Sequence, residues 1–338
     1  MKIYIQGQDA KGWSIDHDKR YLKKFIDEIG HTETNNILLA DVVHAVVWNQ
    51  LLLRMNYFLR FKRVIATASN FINLNNPNFK RATRFVDLWI APSQKQLGLF
   101  KQIGINAVYQ PFYVDNHIFS HRGHSRQELA ELLRIDYALI RDKILLGSFQ
   151  RDTEGADLLT PKWQKGPELL VEALGELPNK KNWILILTGP RRHYVIDECE
   201  RRAIPYYYFG NKPVAGIDDI GTAIKSFDTM ALLYNLIDCY LVTSQSEGGP
   251  KAILESAFCK TMIYSTRVGF AEDMLVDDAL YDNKNVLIEK LRRIVSGYKT
   301  YDYYGVIKRN YNKSTEICSY LSTLNRWKTI YELVDEVK

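Results

Sequence analysis

The segment Ser244-Gln245-Ser246-Glu247-Gly248-Gly249-Pro250-Lys251-Ala252-Ile253-Leu254-Glu255 concentrates residue types that handle an anionic ligand. It follows a short apolar run, Cys239–Val242, and leads into a helical stretch. Gly248 and Gly249 let the backbone turn tightly and approach a ligand closely. Pro250 suits the first helical position, where its missing N–H costs nothing. A helix start that bears free N–H groups is an anion site and suits a diphosphate. Glu247 lies in the loop, and Glu255 sits about a turn and a half inside the helix. A carboxylate at that depth can accept two hydrogen bonds from vicinal hydroxyls, as on a ribose. The same spacing also fits a structural Gly-Pro turn with two solvent-facing glutamates. Spacing alone leaves both readings open.

Such a loop needs a strand to launch it and a helix to receive it. The chain supplies that unit repeatedly. Short apolar runs occur at Lys2–Ile5, Val42–Val47, Val64–Ala68, Leu88–Ala91, Ala107–Tyr109, Ile144–Ser148, Trp183–Thr188, Tyr206–Phe209, Cys239–Val242 and Met262–Ser265. Helical stretches separate them. This alternation predicts α/β architecture with parallel sheets covered by helices on both faces. The strand pattern restarts at Ile144, so two Rossmann-like domains are expected. Residues 1–120 form the first, 121–142 a linker, 143–300 the second, and 301–338 a C-terminal helical segment. From Ser314 onward, Ile317, Leu321, Leu324, Trp327, Tyr331 and Val334 recur at three- and four-residue steps. They predict one amphipathic helix.

The chain has 338 residues, 46% of them hydrophobic and 25% charged, which is ordinary globular composition and excludes disorder and coiled coil. No apolar run reaches the ~18 residues of a membrane span, and no signal-peptide core follows the first strand. Cys199, Cys239, Cys259 and Cys318 lack the short pairings of redox or zinc motifs, so a reduced, cytoplasmic setting is expected. Residues 1–120 hold 15 Lys and Arg against 9 Asp and Glu, so the whole net charge of +6 lies there. An anionic partner is expected for this part. No nucleic-acid motif accompanies the charge. The stretch Leu51-Leu52-Leu53-Arg54-Met55-Asn56-Tyr57-Phe58-Leu59-Arg60-Phe61-Lys62-Arg63 mixes large apolar side chains with four cations and no acid. It reads either as peripheral contact with an anionic membrane face or as a core helix with cations at its edge.

Glu247 and Glu255 stand in a Glu-x7-Glu arrangement, followed by Ser256-Ala257-Phe258-Cys259-Lys260-Thr261 and Ser265-Thr266-Arg267-Val268-Gly269, and preceded by Tyr234-Asn235-Leu236-Ile237-Asp238. Together these resemble family 4 of the retaining GT-B glycosyltransferases, the glycosyl transferases of group 1. Lys260 stands where that family usually has glycine, a departure expected to affect a helix end and not the chemistry. A second block fits the same resemblance. Gly147-Ser148-Phe149-Gln150-Arg151 follows a strand, and Lys165-Gly166-Pro167 opens a helix. Arg151 and Lys165 match the two cations with which the family binds the nucleotide diphosphate. Fixed cations there would stabilise charge that grows as the glycosidic bond breaks. Asp152 to Gln164 is an extra stretch between them, and its Lys162 could replace either. The alternative is surface cations at a helix start.

The resemblance covers about 144–275 and thins toward the N-terminus, where Trp89-Ile90-Ala91-Pro92-Ser93, Gly104-Ile105 and Pro111-Phe112-Tyr113-Val114-Asp115 are the matching fragments. The family's glycine-rich first loop is reduced to Gln6–Trp13, where Gly7 and Gly12 could bring backbone near the diphosphate. Its histidine-bearing acceptor loop corresponds to Ala68-Ser69-Asn70-Phe71, and His44 is expected on or beside a buried strand.

The resemblance implies two Rossmann-like domains facing across a cleft, with the C-terminal helix returning to the N-terminal domain. It implies transfer of a hexose-type sugar from a nucleoside-diphosphate sugar to a hydroxyl of a glycan, lipid-linked or other acceptor. The anomeric configuration would be retained, with no metal or other cofactor. By the same resemblance Glu255 would hold the ribose, and Arg151 and Lys165 the diphosphate. Glu247 and the backbone of Gly248, Gly249, Pro250 and Lys251 would hold the donor sugar. A sugar-nucleotide epimerase or hydrolase of the same fold, and a non-catalytic nucleotide-sugar-binding protein, are the competing readings. Asp16-His17-Asp18 sits at a helix start, where acids act as caps. The absence of Gly-x-Gly-x-x-Gly after the first strand weakens a dehydrogenase reading. Arg191-Arg192-His193 forms a loop at a strand end, and a solvated loop is favoured over donor contact.

Overall fold

The computed structural model describes residues 1–8, 14–52, 59–155, 157–221, 223, 225–297 and 301–336. Gly12, and residues 53–58 of the apolar-basic stretch, lie outside the described residues. By packing, the chain forms two units. One comprises Met1–Tyr113, Glu247–Pro250 and Glu316–Lys338, and the other Val114–Ser246 and Lys251–Thr315.

The first unit is built on six parallel strands: β1 (Lys2–Gln6), β2 (Thr32–Glu33), β3 (Val42–Ala45), β4 (Arg63–Thr67), β5 (Leu88–Ala91) and β6 (Ala107–Tyr109). Their order across the sheet is β2-β1-β3-β4-β5-β6. All of β3 and β5 is buried, so these strands read as continuous apolar runs and not as alternation. Helices α1 (Ser14–Glu28), α2 (Pro77–Ala82) and α3 (Gln94–Gln102) connect them. Asn76 and Ser93 cap the last two through side-chain oxygens, and Pro77 occupies the first turn, where no N–H is needed. One face of the sheet buries Ile3, Ile5, Val42 and Ile65 against Phe25 of α1 and against a C-terminal helix. The other packs Val64 and Trp89 against Trp48, Phe79 and Phe100.

The second unit holds β7 (Ile144–Ser148), β8 (Trp183–Leu187), β9 (Tyr206–Tyr208), β10 (Cys239–Val242), β11 (Met262–Thr266) and β12 (Leu280–Tyr281). They are parallel in the order β12-β11-β10-β7-β8-β9. Its helices are α4 (Arg126–Leu133), α5 (Tyr137–Ile140), α6 (Pro167–Gly175), α7 (His193–Arg201), α8 (Phe227–Leu236), α9 (Lys251–Phe258), α10 (Ala271–Met274) and α11 (Lys284–Val295). Arg126 of α4 grips Asp238, at the foot of β10, with two bonds of 2.7 and 2.8 Å. Both bonds come from Nη2, and this charge-assisted contact holds helix to sheet. All ten strands expected from the sequence are present. The two that were missed, β2 and β12, are two-residue pairings at sheet edges, too short to leave a pattern. Lys260, just past α9, takes φ 57°, the left-handed conformation that favours glycine, and its ammonium lies 4.9 Å from the Tyr311 ring centre.

The single C-terminal helix expected from periodicity is instead two, α12 (Tyr303–Cys318) and α13 (Tyr320–Glu336). The break falls at Ser319, whose hydroxyl accepts the N–H of Ser322 at 3.3 Å, the competition by which serine starts a helix. Leu321, expected on the buried stripe, is exposed, whereas Trp327, Ile330, Tyr331 and Val334 of α13 enter the core of the first unit.

His44, in β3, is fully buried, as its strand position predicts, and its Nδ1 lies 2.8 Å from the Tyr331 hydroxyl of α13. Burial lowers its pKa from 6.5 to about 3. The unfolded chain therefore binds a proton below pH 6.5 that the folded chain refuses until about pH 3. Stability should fall as pH drops through that window, by about 2 kcal/mol at pH 5. Urea titrations at pH 7 and pH 5 should show this loss in the wild type and a smaller one in His44→Asn. Equal losses would show that His44 does not carry the effect.

Candidate functional site

In the second unit the chain lays down β7, β8 and β9 outward in one direction. It then returns to place β10 on the other side of β7. The reversal between β7 and β10 leaves a crevice at their carboxyl ends, where open α/β sheets receive ligands. The loops leaving these two strands are the two segments singled out by the sequence.

Those loops are bound to each other. Thr243, just past β10, donates from Oγ1 to the Lys165 carbonyl at 3.1 Å, and Gln150 donates from Nε2 to the same oxygen at 2.9 Å. Ser244 Oγ donates to Gln150 Oε1 at 3.2 Å. The N–H groups of Gln245 and Ser246 reach the Gln164 carbonyl. Gly166, at φ 57°, allows this approach: a Cβ there would stand 2.0 Å from the Thr243 carbonyl oxygen. Lys165 and residues 243–246, just past β10, thus belong to one stitched assembly with Gln150, which Arg151 directly follows. Lys162 is engaged elsewhere. It pairs with Glu154 at 2.9 Å within the inserted segment, whose ends meet through Thr153 and Pro161.

Glu255, on α9, accepts the Tyr234 hydroxyl at 2.7 Å through Oε2. Burial raises its carboxyl above the ordinary value, opposed by that hydrogen bond and by Lys251. Tyr234 is itself buried and packs with Phe149 and Tyr240, ring centres 5.1–5.2 Å apart, while Tyr240 Oη accepts the Phe149 N–H. An aromatic cluster therefore lies beneath both loops and fixes the Glu255 side chain from below. This link was not read from the sequence, although Tyr234 stood in the quoted segment leading to β10. The helix starts at Lys251, so Pro250 immediately precedes it, within one residue of expectation. Glu247, Gly248, Gly249 and Pro250 group by packing with the first unit. Gly7, at the end of β1 in that unit, has φ 128°, and a Cβ there would lie 2.4 Å from Val46 Cγ2, so its lack of a side chain is required by packing.

The Arg191–His193 loop is not solvated. Arg191 forms a forked pair with Asp218 at 2.9 and 2.6 Å. Arg192 is 0% exposed and lies 3.2 Å from Asp152, which is 1% exposed. Burial lifts the Asp152 carboxyl to about 7 against the pull of Arg192 and of the Tyr194 and Val195 N–H groups. Nothing in the spacing of Asp152 and Arg192, forty residues apart, announces this pair. Among the described residues no cluster of His, Cys, Asp or Glu could hold a metal ion, and no helix is long and apolar enough to cross a membrane.

No family model matches the sequence, and no curated protein sequence matches it. Solved structures do. HepE of Anabaena, in complex with UDP-glucose, is 16% identical, with a TM-score of 0.68 over 98% of this chain and 99% of that one. Sucrose-phosphate synthase of Thermosynechococcus elongatus is 12% identical, with a TM-score of 0.71 over 100% and 99%. A glycosyltransferase of Rickettsia africae is 14% identical, with a TM-score of 0.70 over the same shares. At these identities the likeness is one of fold, and it spans 98–100% of the chain: two six-stranded parallel sheets with interleaved helices, an α/β fold of the GT-B class.

Proposed function

We propose that the chain is a glycosyltransferase. It moves a hexose-type sugar from a nucleoside-diphosphate sugar to a hydroxyl of a glycan, lipid-linked or other acceptor, with retention of configuration and without a metal. The observation that carries this reading is the pair of mutually bonded loops at the β7/β10 crevice, one carrying Arg151 and Lys165 and the other leading on toward α9. That set suits a diphosphate: two cations and a row of N–H groups at a helix N-terminus. As the anomeric bond breaks, the diphosphate leaves with the electron pair, and fixed cations favour that charge most where it is largest. Glu255, held by Tyr234, offers its other oxygen to ribose hydroxyls. Glu247 and the Gly248–Lys251 backbone take the donor sugar.

Because HepE was solved with UDP-glucose, UDP is the first nucleotide to try. Calorimetry with UDP, GDP and ADP, followed by donor turnover with and without glycan and lipid-linked acceptors, tests the proposal. Acceptor-dependent transfer supports it. Turnover that needs no acceptor points to an epimerase or hydrolase, and binding without turnover to a non-catalytic protein. No binding of any nucleoside diphosphate overturns the reading.

Glu255→Gln keeps an acceptor for Tyr234 and removes a charge that burial disfavours. Melting temperature should hold, while nucleotide affinity falls about tenfold through loss of a charge-assisted bond. A drop of many degrees with unchanged affinity would make Glu255 a structural residue.

The proposed setting is cytoplasmic, with peripheral contact at an anionic inner leaflet through the basic N-terminal part. Lys62 Nζ donates to the carbonyls of Leu38 and Ala40 at 2.9 and 2.6 Å, and Leu38, Leu39 and Phe61 are all exposed. Apolar side chains rimmed by cations suit such a surface. Sedimentation with anionic liposomes should show binding at low salt that high salt removes. No binding at low salt would favour a soluble acceptor.

A further inference from the structure

We infer that Asp152 and Arg192 are a positioning pair, buried to fix the loop that presents Arg151 and Lys165 to the donor diphosphate; this rests on the donor reading above. The need for such a device follows from the sequence. Two cations meant for one diphosphate repel each other, and here 13 residues, Asp152 to Gln164, separate them along the chain. A free loop of that length would let them drift apart. Asp152 is the first residue of the insertion and the immediate neighbour of Arg151.

The fastening runs through both backbone and side chains. The N–H groups of Asp152 and Thr153 donate to the Arg191 carbonyl at 3.1 and 3.2 Å, and Thr153 Oγ1 reaches the same oxygen at 3.2 Å. Arg192 lies 3.2 Å from the Asp152 carboxylate and also donates from Nη2 to Ser148 Oγ at 3.2 Å, at the very end of β7. The far end of the insertion is held by the same residue, since the Lys162 N–H donates to the Asp152 carbonyl at 2.7 Å and the Lys165 N–H to the Lys162 carbonyl at 2.8 Å. Asp152 is thus one residue from Arg151 and two hydrogen bonds from Lys165. A buried ion pair adds little net stability compared with apolar residues of the same size. What it supplies is a single geometry, because a buried polar group is costly in a dry interior unless its partner stands beside it.

The double variant Arg192→Met/Asp152→Leu removes both charges together and leaves neither unpaired. Its folding is followed by circular dichroism and melting, and binding of UDP and of uridine is measured for it and for wild type. Loss of positioning should weaken UDP at least tenfold and leave uridine, which has no phosphate, within twofold. If the double variant melts far below wild type, Arg192→Lys, which keeps the charge but on one nitrogen and without the planar guanidinium, carries the same comparison with a loss between wild type and tenfold. Equal loss of UDP and uridine would make the pair a general support of the site and overturn the inference. So would unchanged UDP affinity in a folded variant. Wild type that binds no UDP would overturn the donor reading, and this inference with it.

Discussion

Gly166→Ala should destabilise the protein by roughly 3 kcal/mol or more and abolish nucleotide binding in whatever fraction still folds. Two costs add. A residue other than glycine at φ 57° costs about 1 kcal/mol or more. The new Cβ must also displace the Thr243 carbonyl oxygen, which lies 2.0 Å from where it would sit. That oxygen is backbone, directly after β10, and its residue is bonded to the Lys165 carbonyl, so it has no cheap way to yield. Overpacking at such a place costs a further 1–3 kcal/mol. Gly104→Ala is the control: φ there is also positive, at 72°, but nothing lies within 4 Å of the added carbon. Urea denaturation should give about 1 kcal/mol for Gly104→Ala and at least three times that for Gly166→Ala. Equal values would mean that the two loops are free to separate.

Lys165→Ala should act in the opposite way, with nearly intact stability and a nucleoside diphosphate affinity lowered 10–100-fold. The contacts that hold this segment in place use the Lys165 backbone: its carbonyl accepts from Gln150 and Thr243, and its N–H donates to the Lys162 carbonyl. Alanine keeps all three. On the donor role proposed for it, what is lost is a charge-assisted contact to the diphosphate worth about 1.5–3 kcal/mol. Lys162 offers no replacement because it is paired with Glu154. Calorimetry is the deciding measurement. Unchanged affinity would remove Lys165 from the diphosphate, and a large fall in melting temperature would make it a structural residue.

Much of the fold follows from local chemistry. A strand buried on both faces must be an apolar run, so the strands of both sheets could be marked along the chain, apart from the two-residue edge pairings. Loop chemistry was legible for the same reason. Glycine and proline around Glu247 and Lys165 describe backbone that must turn and then start a helix, and α9 and α6 begin within two residues of those signals. Periodicity failed at Ser319, because the apolar spacing of a helix carries no record of a hydroxyl that caps its neighbour. It failed at the Arg191–His193 loop too, since a cation reads as solvated until its partner is known.

The sequence by itself determined ten of the twelve strands, the turns beside the candidate site and the start of the helices that follow them, because these depend on near neighbours in the chain. The order of the strands was decided only in three dimensions, and with it the fact that the loops after β7 and β10 share one crevice. The contacts that set the site's geometry join residues far apart: Tyr234 to Glu255, Thr243 to Lys165, Arg192 to Asp152. Each depends on burial, which removes water as the competing partner, and burial is a property of the packed chain and not of any segment of it.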